Sequence, residues 1–254
     1  MDLLRVNHVS KIYGDPRSDT AVIALDDIQF SVQSGEFIAI MGPSGSGKTT
    51  LLNVMCGIDT PTNGEILLNH KNLHKLDKEE QAVFRRQNIG FVFQDFNLLE
   101  SLSIQDNILL PMILEKQSVE EMMAKLTTLT ELFDIHPLLH KYPHEVSGGQ
   151  KQRVAICRAL MNEPSIIFAD EPTGNLDSRN AAILMENLKK IVEQFQTTVL
   201  LVTHDVYAAS YCEKVLFIKD GQIHSILHRQ DANKSFFERI VERLVSIGGK
   251  GHDI

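Results

Sequence analysis

The sequence predicts an α/β fold: a mostly parallel sheet with helices on both faces, a small N-terminal antiparallel β subdomain and an inserted helical subdomain. Three observations carry that expectation. The apolar runs Phe37 to Met41, Ile89 to Phe93, Ser165 to Ala169 and Thr198 to Val202 have the length and continuity of strands covered on both faces. Stretches with helical spacing separate them, as crossovers between parallel strands require. Polar residues directly follow the last three runs, and in such sheets ligands bind at the strand C-termini.

The remaining elements follow in chain order. Leu3 to Val9 alternates loosely into Lys11-Ile12-Tyr13-Gly14, and Ala21 to Val32 reads as two further short β pieces split by turn residues. After Phe37 to Met41 comes a glycine-rich run, then a helix over Thr49 to Cys56. Ile66 to Leu68 continues β structure, and Lys78 to Gln87 is polar and helix-prone. Ser103 to about Leu139 turns helical: Ile108, Leu109, Met112 and Ile113 recur at helical spacing, as do Met122, Met123, Leu126 and Leu129. These Met-rich stripes are expected to be core. Val215 to Ile218 and Gln222 to His224 form a hairpin around Asp220-Gly221. Ser235 to Val245 sets Phe236, Phe237, Ile240, Val241 and Leu244 on one helical face, for packing on its own domain first and on a partner second.

Composition narrows the function classes. At 254 residues and 43% hydrophobic content, the chain suits one large α/β domain or a core with an insertion. Its net charge of -8, with Lys and Arg dispersed, lacks the footprint of a nucleic-acid binder. Cys56, Cys157 and Cys212 are far apart and form no C-x-x-C pair, which argues against disulfides and zinc and fits a reducing cytoplasm. No apolar stretch approaches the roughly 20 residues that span a bilayer, so a membrane role would come through a partner.

Gly42-Pro43-Ser44-Gly45-Ser46-Gly47-Lys48-Thr49-Thr50 fits G-x-x-x-x-G-K-[ST] directly after an apolar strand. Its glycines let backbone N–H groups point at phosphate oxygens, and the following helix aims its positive end at them. Lys48 is placed to neutralise the β and γ phosphates, and the Thr49 hydroxyl to ligate Mg²⁺. The expected ligand is therefore a Mg²⁺-nucleoside triphosphate. About a hundred residues on, Ser147-Gly148-Gly149-Gln150 opens another helix with a hydroxyl and two glycines, a second phosphate grip.

That run, with Lys151-Gln152-Arg153 after it, resembles the signature of ATP-binding-cassette (ABC) ATPases, with Val146 where Leu is commonest. The order of motifs is similar to that family over about residues 3 to 224. The resemblance implies a P-loop NTPase fold and a head-to-tail homodimer, with each ATP between the P-loop of one cassette and the signature of the other. It makes residues 1–230 the nucleotide-binding domain, 96–163 its inserted helical subdomain, and 231–254 a C-terminal amphipathic helix and tail. Tyr13, which alone would be a packing residue, looks like the aromatic that stacks on adenine. Gln94 resembles the glutamine that reaches Mg²⁺ and the attacking water. Asp170 would hold Mg²⁺ through water, Glu171 would be the general base, and His204 resembles the switch histidine at the γ phosphate. Asn175 departs from the commoner Ser of the loop that communicates across the dimer.

Within the family, Asp170 to Ser178 and Phe91 to Gln94 look like the lipoprotein-release and macrolide-export branch. Ala208 to Cys212, Phe217 to Gly221 and Ser235 to Ile240 are similar to the bacitracin-type cassettes of antimicrobial-peptide resistance. The resemblance implies an integral permease docking near residues 95–105, at Phe96, Leu98 or Leu99, a sensor kinase working through it, and a place at the cytoplasmic face of the membrane. A macrolide or lipoprotein exporter is the alternative. A soluble ABC ATPase acting on ribosomes or DNA fits less well, because such proteins usually carry two cassettes or a coiled-coil insertion.

Overall fold

The computed structural model describes residues 2–15, 20–229 and 234–248. Strands β1 (Asp2–Tyr13), β2 (Val22–Gln33), β4 (Asn63–Leu68) and β5 (Lys71–Asn72) form an antiparallel sheet in the order β2-β1-β4-β5. The second sheet contains β3 (Phe37–Met41), β6 (Ile89–Phe93), β7 (Ile166–Asp170), β8 (Thr198–Val202), β9 (Lys214–Lys219) and β10 (Gln222–His228). Its order is β10-β9-β3-β8-β7-β6, parallel except for the β9–β10 hairpin. Strand β3 is thus flanked on both sides, which explains its unbroken apolar run.

Each central strand divides its side chains between two cores with period two. Phe37, Ala39 and Met41 of β3 face one, Ile38 and Ile40 the other. The first core is closed by α3 (Ile104–Leu114), α4 (Val119–Leu132), α5 (Gly148–Leu160), α6 (Ser178–Phe195) and α8 (Phe236–Gly248). The second is closed by α1 (Lys48–Met55), α2 (Lys78–Asn88) and the antiparallel sheet. The short α7 (Val206–Ala209) follows β8. A fully buried Leu or Ile in either core contributes roughly 1.5–3 kcal/mol.

Several details differ from the sequence expectation. Ala21 to Val32 is one strand, not two, and β1 runs unbroken to Tyr13. Both absorb their irregularities as shifts of register around His8 and Asp27, which take positive φ (50° and 53°). These two residues meet, His8 Nδ1 lying 2.8 Å from Asp27 Oδ1. Ile113 and Met123 face solvent instead of the core. On α8 the buried seam is Ile240 and Ile247, with Phe236 and Leu244 partly covered, while Phe237 is 42% exposed. Phe237 lies about 100° round the helix from Phe236, so one seam cannot hold both. The helix packs on its own domain; the tail beyond 248 and residues 230–233 lie outside the described residues. Asp220 and Gly221 both take positive φ, as a two-residue hairpin turn demands.

Candidate functional site

The loop between β3 and α1 is shaped by close backbone approach. A Cβ at Gly42 would sit 2.1 Å from Ile218 O, and one at Gly47, whose φ is 99°, 2.4 Å from Ala24 O. Around Gly45 the space is open. Gly47 caps α1 without any side-chain acceptor, and the first turn carries no acid. Those N–H groups are left to accept an anion. Lys48 Nζ folds back on the carbonyls of Gly42 (2.9 Å) and Pro43 (2.8 Å). Burial lowers its pKa, opposed by Glu171 and Asp170. Ser46 is buried and, among the described residues, no group pairs with its hydroxyl. Ser44 and Thr49 are exposed and Thr50 half-buried.

Opposite the loop stand the ends of β7 and β8. Asp170 closes β7, and burial together with the Glu171 carboxylate pushes its pKa up, with Lys48 pulling the other way. Glu171 follows in a left-handed conformation, φ 45°, pinned by its N–H to Val202 O at 2.8 Å. Its Oε1 meets His204 Nδ1 at 2.9 Å. Its Oε2 accepts from Thr203 Oγ1 at 3.2 Å and His204 N at 3.3 Å. Lys48, Asp170, Glu171 and His204 are therefore assembled at neighbouring strand ends.

Gln94 directly follows β6, beside Asp170 through the Phe93–Asp170 pair. Its backbone carbonyl accepts from Asn175 Nδ2 (3.1 Å), which also donates to Asp95 Oδ1 (3.0 Å). Tyr13 is 43% exposed at the edge of the antiparallel sheet. Its hydroxyl donates to Asp59 at 2.7 Å, Lys11 Nζ lies 4.8 Å from its ring centre, and Thr50 stands beside it. One ring face is thus partly taken by a cation.

These residues fit Mg²⁺-ATP. The glycine cradle is open, a cation sits at its neck, a buried hydroxyl lacks a partner, and an acidic pair closes the far side. Among the described residues no group of three His, Cys, Asp or Glu could hold a metal. An ion here takes much of its ligand set from phosphate and water, the habit of Mg²⁺.

Ser147, Gly148, Gly149 and Gln150 are elsewhere. They open α5, and among the described residues none hydrogen-bonds to the loop at 42–50. Ser147 and Gln150 form a reciprocal capping box: Ser147 N donates to Gln150 Oε1 (2.8 Å) and Gln150 N to Ser147 Oγ (3.4 Å). Ser147 and Gly148 are exposed. Gly149 lies against Asn180, which a Cβ would reach at 2.6 Å.

Two contributors escape a motif reading. Thr203 is fully buried, accepts from Asp205 N at 3.0 Å, and so must send its proton to Glu171. Its phase with Val199 and Leu201, which face the first core, was the available signal. The second is Asp59, which fixes the Tyr13 hydroxyl; nothing in its neighbourhood of sequence marks it.

A family profile described as "ABC transporter" matches residues 25–174. The ABC transporter ATP-binding protein YxdL of Bacillus subtilis is 47% identical over 253 residues, covering 100% of this chain and 97% of that one. The bacitracin export ATP-binding protein BceA of Halalkalibacterium halodurans is 44% identical over 254 residues, with 100% of both covered. A dimeric, post-hydrolysis state of the ATP-binding cassette MJ0796 bound to ADP and Pi superposes with a TM-score of 0.81 at 37% identity, covering 90% of this chain and 100% of that one. End-to-end likeness to such cassettes, on a fold that gathers its acids and its lysine at the C-terminal ends of neighbouring strands, means that this chain belongs to the ABC transporter family, as an ATP-binding, ATP-hydrolysing subunit.

Proposed function

We propose that two copies of this chain close head to tail on ATP and thereby drive a separate membrane permease that deals with bacitracin-type peptide antibiotics. The observation that carries the chemistry is the Glu171–His204 pair, 2.9 Å apart at adjoining strand ends across from Lys48. In this reading Lys48 leaves the Gly42 and Pro43 carbonyls for the β and γ phosphates. The amides of residues 45 to 50 cradle the phosphates, and Tyr13 stacks on adenine. Thr49 and Gln94 would hold Mg²⁺, with Asp170 through water; the ion supplies charge neutralisation at the β and γ oxygens. Glu171 orients and polarises the water that attacks the γ phosphorus, and His204, released from Glu171, turns to the γ phosphate. Ser147, Gly148, Gly149 and Gln150 complete the partner's site.

We read residues 1–230 as the catalytic domain, with 96–163 as a helical arm. The permease would dock near 95–105, where Leu99 is 47% exposed and Asn175 bonds both Asp95 and the Gln94 carbonyl. In this reading the chain sits at the cytoplasmic membrane face, with any sensor kinase acting through the permease. The peptide-antibiotic assignment is supported by BceA being matched along its whole length.

Glu171→Gln should bind Mg²⁺-ATP with native affinity while kcat falls about 100-fold or more; a native rate removes the general-base role. The same variant, tagged and trapped with Mg²⁺-ATP in native membranes, should co-purify with a multi-span permease by mass spectrometry. Ribosomal or DNA-associated partners alone would overturn the transporter reading.

A further inference from the structure

Gln152 lies one turn inside α5 and is 1% exposed, an unusual depth for a residue in the polar run Gln150-Lys151-Gln152-Arg153. Its Nε2 donates to the carbonyl of Pro172 at 3.1 Å. That contact fixes the amide's orientation, since a flipped amide would oppose two oxygens. Oε1 then has no donor among the described residues. A buried acceptor of this kind is costly unless water reaches it. Gln152 also lines a cavity of about 50 Å³ between α5 and α6, with Gly149, Leu176, Asn180 and Leu184 among its walls. A cavity of that size has room for water.

The position matters because of what lies at each end. Pro172 directly follows Glu171, whose strained φ leaves its direction sensitive to the next residue. Gln152 sits one helical turn from Gly148 and Gly149. Resting on the head-to-tail reading above, we propose that Gln152 is a positioning residue that ties the signature helix, which grips the partner's ATP, to the corner carrying this subunit's own Glu171. A water in the α5–α6 cavity completes its amide. Closure of α5 on one nucleotide is thereby passed to the base that acts on the other, and the two sites fire together.

The test compares Gln152→Met, which keeps the volume and removes both hydrogen-bonding groups, with the parent chain. The KM for ATP should hold, kcat should drop about tenfold, and the Hill coefficient for ATP should fall below the parent value. ATP-driven dimerisation, read by light scattering in the Glu171→Gln background, should persist. Gln152→Asn, which keeps an amide but is a methylene too short for Pro172, must reproduce the loss and serves if the Met variant does not fold. Ile183→Ala, an apolar change in the wall of the same cavity, controls for packing alone and should leave kcat and cooperativity intact. Parent kcat and Hill coefficient in both Gln152 variants, or an equal change in Ile183→Ala, overturns the proposal. Failure of the head-to-tail reading is distinguishable: the Glu171→Gln chain would then stay monomeric with ATP whatever residue stands at 152.

Discussion

Helix α1 begins at Gly47 with no side-chain cap, whereas α5 begins at Ser147 inside a reciprocal box with Gln150. Both are glycine-flanked N-termini, yet their donors are in opposite condition. At α1 the backbone is locked by neighbours that leave no room for a Cβ at Gly42 or Gly47, no side chain caps the helix, and the first turn carries no acid. Its need for an anion is permanent. At α5 the Ser147 hydroxyl is already engaged, but through a bond of 3.4 Å, near the limit of a useful one. Such a cap keeps the helix intact alone, and under the proposed head-to-tail closure it would be given up to the partner's phosphate. On that proposal one chain holds nucleotide by itself at one terminus and only intermittently at the other.

Removing the cation from the permanent grip is the severest way to break this contrast. Lys48→Ala should lower Mg²⁺-ATP affinity at least about 100-fold by calorimetry; unaltered affinity would mean that the loop is not the cradle. Ser147→Arg acts on the intermittent grip. It should leave the affinity of the monomer unchanged and abolish the ATP-driven dimer of the Glu171→Gln form, and a normal dimer would refute the shared site. The gentlest change sharpens the comparison: Ser147→Ala removes only the cap, costing about 1 kcal/mol. Thermal unfolding should shift down by about 2–4 °C, and no shift would mean that the capping box contributes nothing.

Much of this was legible in the chain itself. The strands at 37–41, 89–93 and 198–202 have the expected bounds because each is apolar on both faces and stopped abruptly, the first by Gly42-Pro43 and the others by polar residues. The loop at 42–50 was legible because its glycines and lysine answer one chemical demand. Less visible were the long N-terminal strands, since His8 and Asp27 take positive φ without a glycine to mark the place. Gln152 was hidden by polar neighbours, though its spacing to Ile156 puts both on one buried face of α5. The Asn175 bonds to Gln94 and Asp95 join residues far apart in sequence, and no local pattern encodes such a meeting.

The loop at 42–47 is also buttressed from late in the chain. Gly221 N donates to Ser46 O at 3.2 Å, Ile218 O crowds Gly42, and Phe37 to Met41 find their strand neighbours only at 198–202 and 214–219. A growing polypeptide therefore cannot complete these buttresses of its glycine-rich stretch until residue 221 has cleared the ribosome, and pairs so distant in sequence form slowly. Until then the apolar run at 37–41 is bare, a target for chaperones. Acquisition of nucleotide affinity marks the moment at which synthesis has delivered a finished fold.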